Sequence, residues 1–156
     1  MKITKTLNII AILFLIANVG LAIFIALHNS SIILHWDFLG HVTHHGEQQF
    51  ILVFPLVSCL VYAILRWYIK DPYKINHVGS ISKTERNKQL LRNYLVVVSV
   101  GITALLLYVT ICSGGLLLMS PFVVYTTIGI LIVSYTYTRG RLERVWSDST
   151  RSEEHT

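Results

Sequence analysis

The chain has 156 residues, 53% of them apolar and only 13% charged, with a net charge of +5 and a pI near 9.4. A soluble domain of this size carries about 25% charged residues, so composition alone argues against one. The residues outside the apolar runs are too few for a separate soluble core, and the distribution of the basic residues argues against nucleic acid as the partner.

Four apolar runs follow one another, at about 7–27, 50–68, 94–112 and 116–138. About 20 residues of helix cross the hydrocarbon, and roughly 17–25 are tolerated, so each run predicts a transmembrane helix. The second run is the shortest and is extended by Trp67 and Tyr68 at the interface, where Arg66 can snorkel. The first run is too long for the apolar region of a signal peptide, and Leu27-His28-Asn29 offers no small-residue cleavage site; it is expected to be a retained helix. The fold class is therefore all-α: one polytopic membrane domain over 1–150, a bundle of four transmembrane helices. Residues 151–156, Arg-Ser-Glu-Glu-His-Thr, are what the start of a widely used sequencing adaptor encodes. They are expected to be read-through rather than protein, which would leave the natural C-terminus, and any helices before it, missing.

In the first helix Ala11, Leu15, Asn18, Ala22, Ile25 and Asn29 recur at steps of three and four. Small and amide side chains on one stripe predict a packing seam. Ser99, Thr103 and Thr110 share a face of the third helix, as do Thr127, Ser134 and Thr138 of the fourth. Helix–helix contact or hydroxyl bonding to the preceding turn is the expected use, ahead of a polar path through the bundle. No Asp, Glu, Lys or Arg lies in the middle of a span, which argues against a proton- or ion-coupled transporter. Pro55 and Pro121 fall in the first two turns of their helices, where a missing N–H costs little. Between the second and third helices Asp71-Pro72 and Gly79 break any continuous helix, and Ser82 with Glu85 predicts a capping box that starts the third helix near Lys83. Cys59 lies about 14 Å into its helix and Cys112 at the outer end of another, too far apart for a disulfide, with Cys112 the more reactive toward aqueous reagents.

All 13 basic residues fall before the first helix, between the second and third, or after the fourth. The positive-inside rule then predicts both termini in the cytoplasm and segment 28–49 outside. Lys70, Lys74, Asn76, Lys83, Arg86 and Lys88 form the cytoplasmic surface, suited to anionic headgroups or a cytoplasmic regulator.

Segment 28–49 holds five of the seven histidines, Asp37, Glu47 and no cation. Imidazole and carboxylate suit zinc or copper, and His41 and His44 on one helix face, with His45 and Glu47, are the candidate ligands. The spacing matches no strong metal signature, and an interfacial loop of His and Trp, or a pH-sensing one, explains the same residues. His35, Trp36, Asp37, Gly40, Gly46, the Phe54-Pro55 step, and Asp71-Pro72 followed by Asn76 form a recognisable pattern. Through these residues the sequence resembles the SdpI-like family of small multi-pass proteins of the bacterial cytoplasmic membrane. Ile33 stands where the family has Pro, Thr43 where it has Asp, and Gln48 where it has Lys. The family includes a protein giving immunity to a secreted membrane-active toxin and sequestering a cytoplasmic repressor. The resemblance implies a non-catalytic protein that recognises a toxin peptide or envelope signal through His35, Trp36, Asp37 and Gly40. The alternatives are a metal-dependent membrane enzyme or metal-binding protein at the outer histidines, and a structural subunit of a membrane complex.

A reporter active only in the cytoplasm is expected to work when fused after Arg141 or within Lys74–Lys88, and to fail at Gly46. Loss of its activity within Lys74–Lys88 would overturn the four-span topology.

Overall fold

The computed structural model describes residues 2–75 and 81–144. Asn76 and residues 151–156 lie outside them. Four helices are long and apolar enough to cross a membrane: α1 (Lys2–His28), α2 (Val53–Lys70, preceded by a 3-10 turn, Gln48–Leu52), α3 (Glu85–Ser113) and α4 (Pro121–Arg141). Between α1 and α2 lies an antiparallel hairpin, β1 (Ser31–Trp36) and β2 (Val42–Glu47). The chain is a multi-pass membrane protein.

Hydrogen bonds set the helix directions. Thr4 bonds Asn93, Asn18 bonds Thr110, and Asn29 bonds the Gly114 carbonyl, so α1 and α3 run parallel. Asn8 near the start of α1 accepts from the Tyr62 hydroxyl midway along α2, at 2.8 Å, and Leu7 packs in the cluster of Ile69 near the end of α2, so α2 runs back. Glu143, just past α4, bonds Asn87 in the first turn of α3, so α4 runs back too. Every described Lys and Arg therefore lies toward one end of the bundle, and the hairpin and the α3–α4 connection close the other.

The packing seam expected on α1 forms as predicted. Ala11, Asn18, Ala22 and Ile25 are its buried residues, and Ala22 and Ile25 join Ile32 of β1 and Ile51 in one core cluster. Ser99, Thr103 and Thr110 are buried on α3, and each hydroxyl bonds the carbonyl four residues earlier. Thr110 Oγ1 also lies 2.6 Å from Asn18 Oδ1, sharing its one proton between that oxygen and the Leu106 carbonyl. Gly101 lets Leu131 of α4 come against α3, and Gly114 does the same for Ile25. By contrast α4 packs mainly on α3 and buries only Thr138.

Four expectations are corrected. The third helix begins at Glu85, capped by Thr84, whose Oγ1 accepts from Asn87 N at 3.2 Å. Ser82 cannot cap because its backbone is paired elsewhere: its N–H donates to the Glu143 carbonyl and its carbonyl accepts from Asn87 Nδ2. The fourth helix begins at Pro121 rather than Leu116. Gly115, at φ +75°, ends α3, with Leu116 N bonded to the Ile111 carbonyl, and Pro121, lacking an N–H, suits the first helical position. Leu116–Met119 is thus an apolar connection that hydropathy alone assigned to the helix. Cys112 is fully buried rather than open at the outer surface, and Cys59 is exposed on the flank of its span; both are free. Segment 28–49 is a paired hairpin rather than a loop.

Two buried asparagines separate structural from dispensable polar groups. Asn87 makes three bonds to backbone groups outside its own helix: Ser82 O at 2.7 Å, Glu143 O at 2.8 Å and Glu143 N at 3.0 Å. Asn87→Ala leaves the Glu143 N–H without its partner and takes one of two bonds from each of the Ser82 and Glu143 carbonyls, and is expected to cost about 1–3 kcal/mol, measured as a lower unfolding midpoint in detergent. Asn18 has no partner for Nδ2 among the described residues, and Thr110 keeps its bond to the Leu106 carbonyl without it. Asn18→Leu is expected to change stability by less than about 1 kcal/mol, and a larger loss would show that the amide holds α1 to α3.

Candidate functional site at the outer hairpin

The hairpin owes its shape to Asp37. Oδ1 accepts from the Leu39 and His41 backbone amides, each at 2.8 Å, and Oδ2 meets His41 Nδ1 at 2.8 Å. The Asp37 carbonyl accepts from Gly40 N at 3.0 Å and its N–H donates to the His41 carbonyl. Asp first and Gly fourth is the residue order a four-residue turn prefers, since the carboxylate holds free amides and Gly accepts a left-handed φ. Gly40 has φ +87°, and a Cβ there would stand 2.5 Å from the Met119 carbonyl oxygen and 3.1 Å from Pro121 Cδ. It is required both by the turn and by the closeness of the α3–α4 connection.

Three contacts lay the hairpin across the end of the bundle. Ile32 is buried among Ala22, Ile25 and Ile51. The Ser113 hydroxyl at the end of α3 donates to the Ile33 carbonyl at 2.5 Å. Gly40 closes against Met119 and Pro121. Between the tip and α4 a cleft of about 170 Å³ is lined by Trp36, Asp37, Phe38, Met119, Tyr125 and neighbouring α4 residues. Its walls are mainly apolar.

Of the residues singled out in the sequence, Trp36 and Asp37 line the cleft, Gly40 closes the turn beside it, and His35 lies on the strand, where Nδ1 shares a hydrogen bond with Thr43 Oγ1. The helix-face geometry expected for His41 and His44 is corrected. His41 is paired with Asp37 outside the strands, and His44 and His45 are successive strand residues whose side chains leave opposite faces. Glu47 accepts from the Gln49 amide. Among the described residues no three His, Cys, Asp or Glu side chains come together as a metal-sized group. At the opposite end Lys70 and Lys83 are exposed, Lys74 Nζ stands 4.5 Å over the Trp67 ring, Arg86 pairs with Glu143 at 2.7 Å, and Lys88 lies 3.9 Å from Glu85.

Met119, Pro121 and Tyr125 are site residues that the sequence pattern does not reveal. They lie more than 80 positions from the hairpin tip, and nothing local distinguishes them from lipid-facing residues. No family model, no curated protein and no solved structure matches the chain.

The His41 backbone amide is the largest influence on the Asp37 carboxyl and lowers its pKa from the ordinary 3.8; partial desolvation opposes this, and the His41 ring and Leu39 amide add to the lowering. A depressed folded value means the carboxylate supports the turn fully above pH 3.8, and that support is lost only as pH falls through the lower folded value. Amide exchange at Leu39 and His41 should therefore stay slow on mild acidification and quicken only in stronger acid. Quickening near the histidine range, about pH 6–7, would assign the turn to His41 instead. Gly40→Ala should release the tip, since the left-handed backbone alone costs about 1–2 kcal/mol and the Met119 carbonyl blocks the added carbon. Faster exchange at the hairpin with unchanged helix content is the expected readout.

Proposed function

We propose that the chain is a non-catalytic recognition protein of the SdpI-like type in a bacterial cytoplasmic membrane, with both termini inside, conferring immunity to a secreted membrane-active peptide or sensing an envelope signal. The observation that carries this reading is the apolar cleft between the hairpin tip and α4, open at the cation-free end. Its lining suits the apolar side of an amphipathic ligand, and with no Lys or Arg in 28–65 or 112–138 nothing beside it repels a cationic one.

The resemblance gains support from the way its positions depend on each other. Asp37 and Gly40 build one turn, Trp36 walls the cleft beside it, and His35 bonds Thr43, the residue standing where the family has Asp. His35, Asp37 and Gly40 thus shape the site, and Trp36, Phe38 and Tyr125 are the side chains left to meet a ligand. The basic end, with Lys70, Lys74 and Lys83, is suited to lipid phosphate or a cytoplasmic regulator.

Survival of cells challenged with a membrane-active toxin, with and without the gene, tests the reading. Trp36→Ala and Tyr125→Ala should accumulate and insert normally yet lose at least tenfold in protection, because each removes a wall of the cleft without touching the turn. Normal protection by both variants would move the site elsewhere. Loss of protection on replacing His41, His44 and His45 together, with loss of bound zinc or copper, would favour the metal reading.

A further inference from the structure

The hairpin lies outside the four spans, yet its tip is strongly apolar. Phe38 is 87% and Leu39 74% exposed. The contact of Gly40 with Met119 and Pro121 holds this tip level with the first turn of α4. That turn and the connection before it expose Phe122 at 76% and Leu118 at 93%. Two segments about 80 residues apart in the chain thus set large apolar side chains on one rim of the bundle. The only carboxylate at the tip, Asp37, is turned onto the Leu39 and His41 amides and the His41 ring, and no Lys or Arg lies in 28–65 or 112–138.

In water an exposed apolar rim of this kind is unfavourable by about 25 cal/mol per Å². Below it the rim continues without a break into the exposed face of α4, with Tyr125, Ile128 and Ile132. That face belongs to a helix buried by little besides α3, so its surroundings are lipid. Trp36 and Tyr125 stand beside the tip, and such rings favour the headgroup level.

We propose that the hairpin tip and the α3–α4 connection form a wedge seated in the lipid leaflet at the cation-free end of the bundle, at the boundary of headgroups and acyl chains. The turn makes this seating possible, because Asp37 takes the Leu39 and His41 amides and β1 and β2 pair their inward-facing backbone groups, while the outer strand edges stay at the hydrated headgroup level. The cleft beside the tip then opens sideways toward the acyl chains rather than upward into water. This inference stands on the exposed rim and its continuity with α4, and does not depend on the recognition reading.

Spin labels test it. Phe38→Cys, Leu39→Cys and Leu118→Cys, with His44→Cys as the reference on the same hairpin, are made in a chain carrying Cys59→Ala and Cys112→Ala. Each is labelled with a nitroxide and reconstituted into phosphatidylethanolamine–phosphatidylglycerol vesicles. Collision with oxygen, which concentrates in lipid, is compared with collision with a water-soluble nickel chelate. The expected result is an oxygen-to-chelate ratio several-fold higher at 38, 39 and 118 than at 44. Chelate access at 38 and 39 equal to that at 44 would overturn the wedge, placing the tip in water. Shielding from both reagents would also overturn it, with spin–spin broadening identifying a second copy as the cover.

Discussion

Within hydrocarbon no water is present to satisfy a backbone N–H or C=O, and each orphaned group costs several kcal/mol. The rest of the structure depends on that constraint. It makes the four long runs helical, and it sends the hydroxyls of Ser99, Thr103 and Thr110 back onto carbonyls of their own helix. It also explains why irregular backbone collects at the two ends. At one end Asn87 supplies the bonds that the segments before α3 and after α4 cannot make within a helix. At the other, a paired hairpin and a glycine-terminated helix end do the same.

The hairpin turns this constraint into a site. A loop of the same length would carry unpaired amides and could not lie close against the helix ends. Pairing of β1 with β2, and the Asp37 carboxylate at the turn, free the hairpin to bury Ile32 in the bundle and bring Gly40 against α4. The cleft is what remains between a flat, paired element and a helix that starts with proline. The residues resembling a family pattern divide accordingly: Asp37 and Gly40 are occupied with backbone, Trp36 with the wall, and His35 with Thr43.

How much of the site was legible differs residue by residue. The segment itself stood out because it is long, carries no cation and concentrates histidine. Asp37 and Gly40 stood out through their pattern, though their role in the turn follows from geometry. The strands were hidden because Ser31–Trp36 is nearly continuously apolar and Val42–Glu47 rich in histidine, so neither shows a clean alternation, and no two-residue turn signal links them. His41 and His44 have the spacing of helix neighbours, whereas on the hairpin His41 answers to Asp37 and His44 to its strand. On α1 the reading held because Ala11, Asn18, Ala22 and Ile25 repeat with the helix period, and periodicity belongs to one segment alone.

Hydropathy and charge along the chain are enough to set the number and approximate extent of the apolar helices and the gathering of the described Lys and Arg at one end. These depend on hydropathy and charge summed along contiguous residues, and no partner is needed to evaluate them. Only the tertiary structure decided that Thr84 caps α3, that α4 waits until Pro121, and which residues face the hairpin across the cleft. Each of those outcomes is a competition between a local preference and a distant group. Ser82 is drawn from the cap by Glu143, and Ile33 meets Ser113 across a separation of 80 residues. Such pairs become neighbours only when the helices stack, and nothing in either segment records the other.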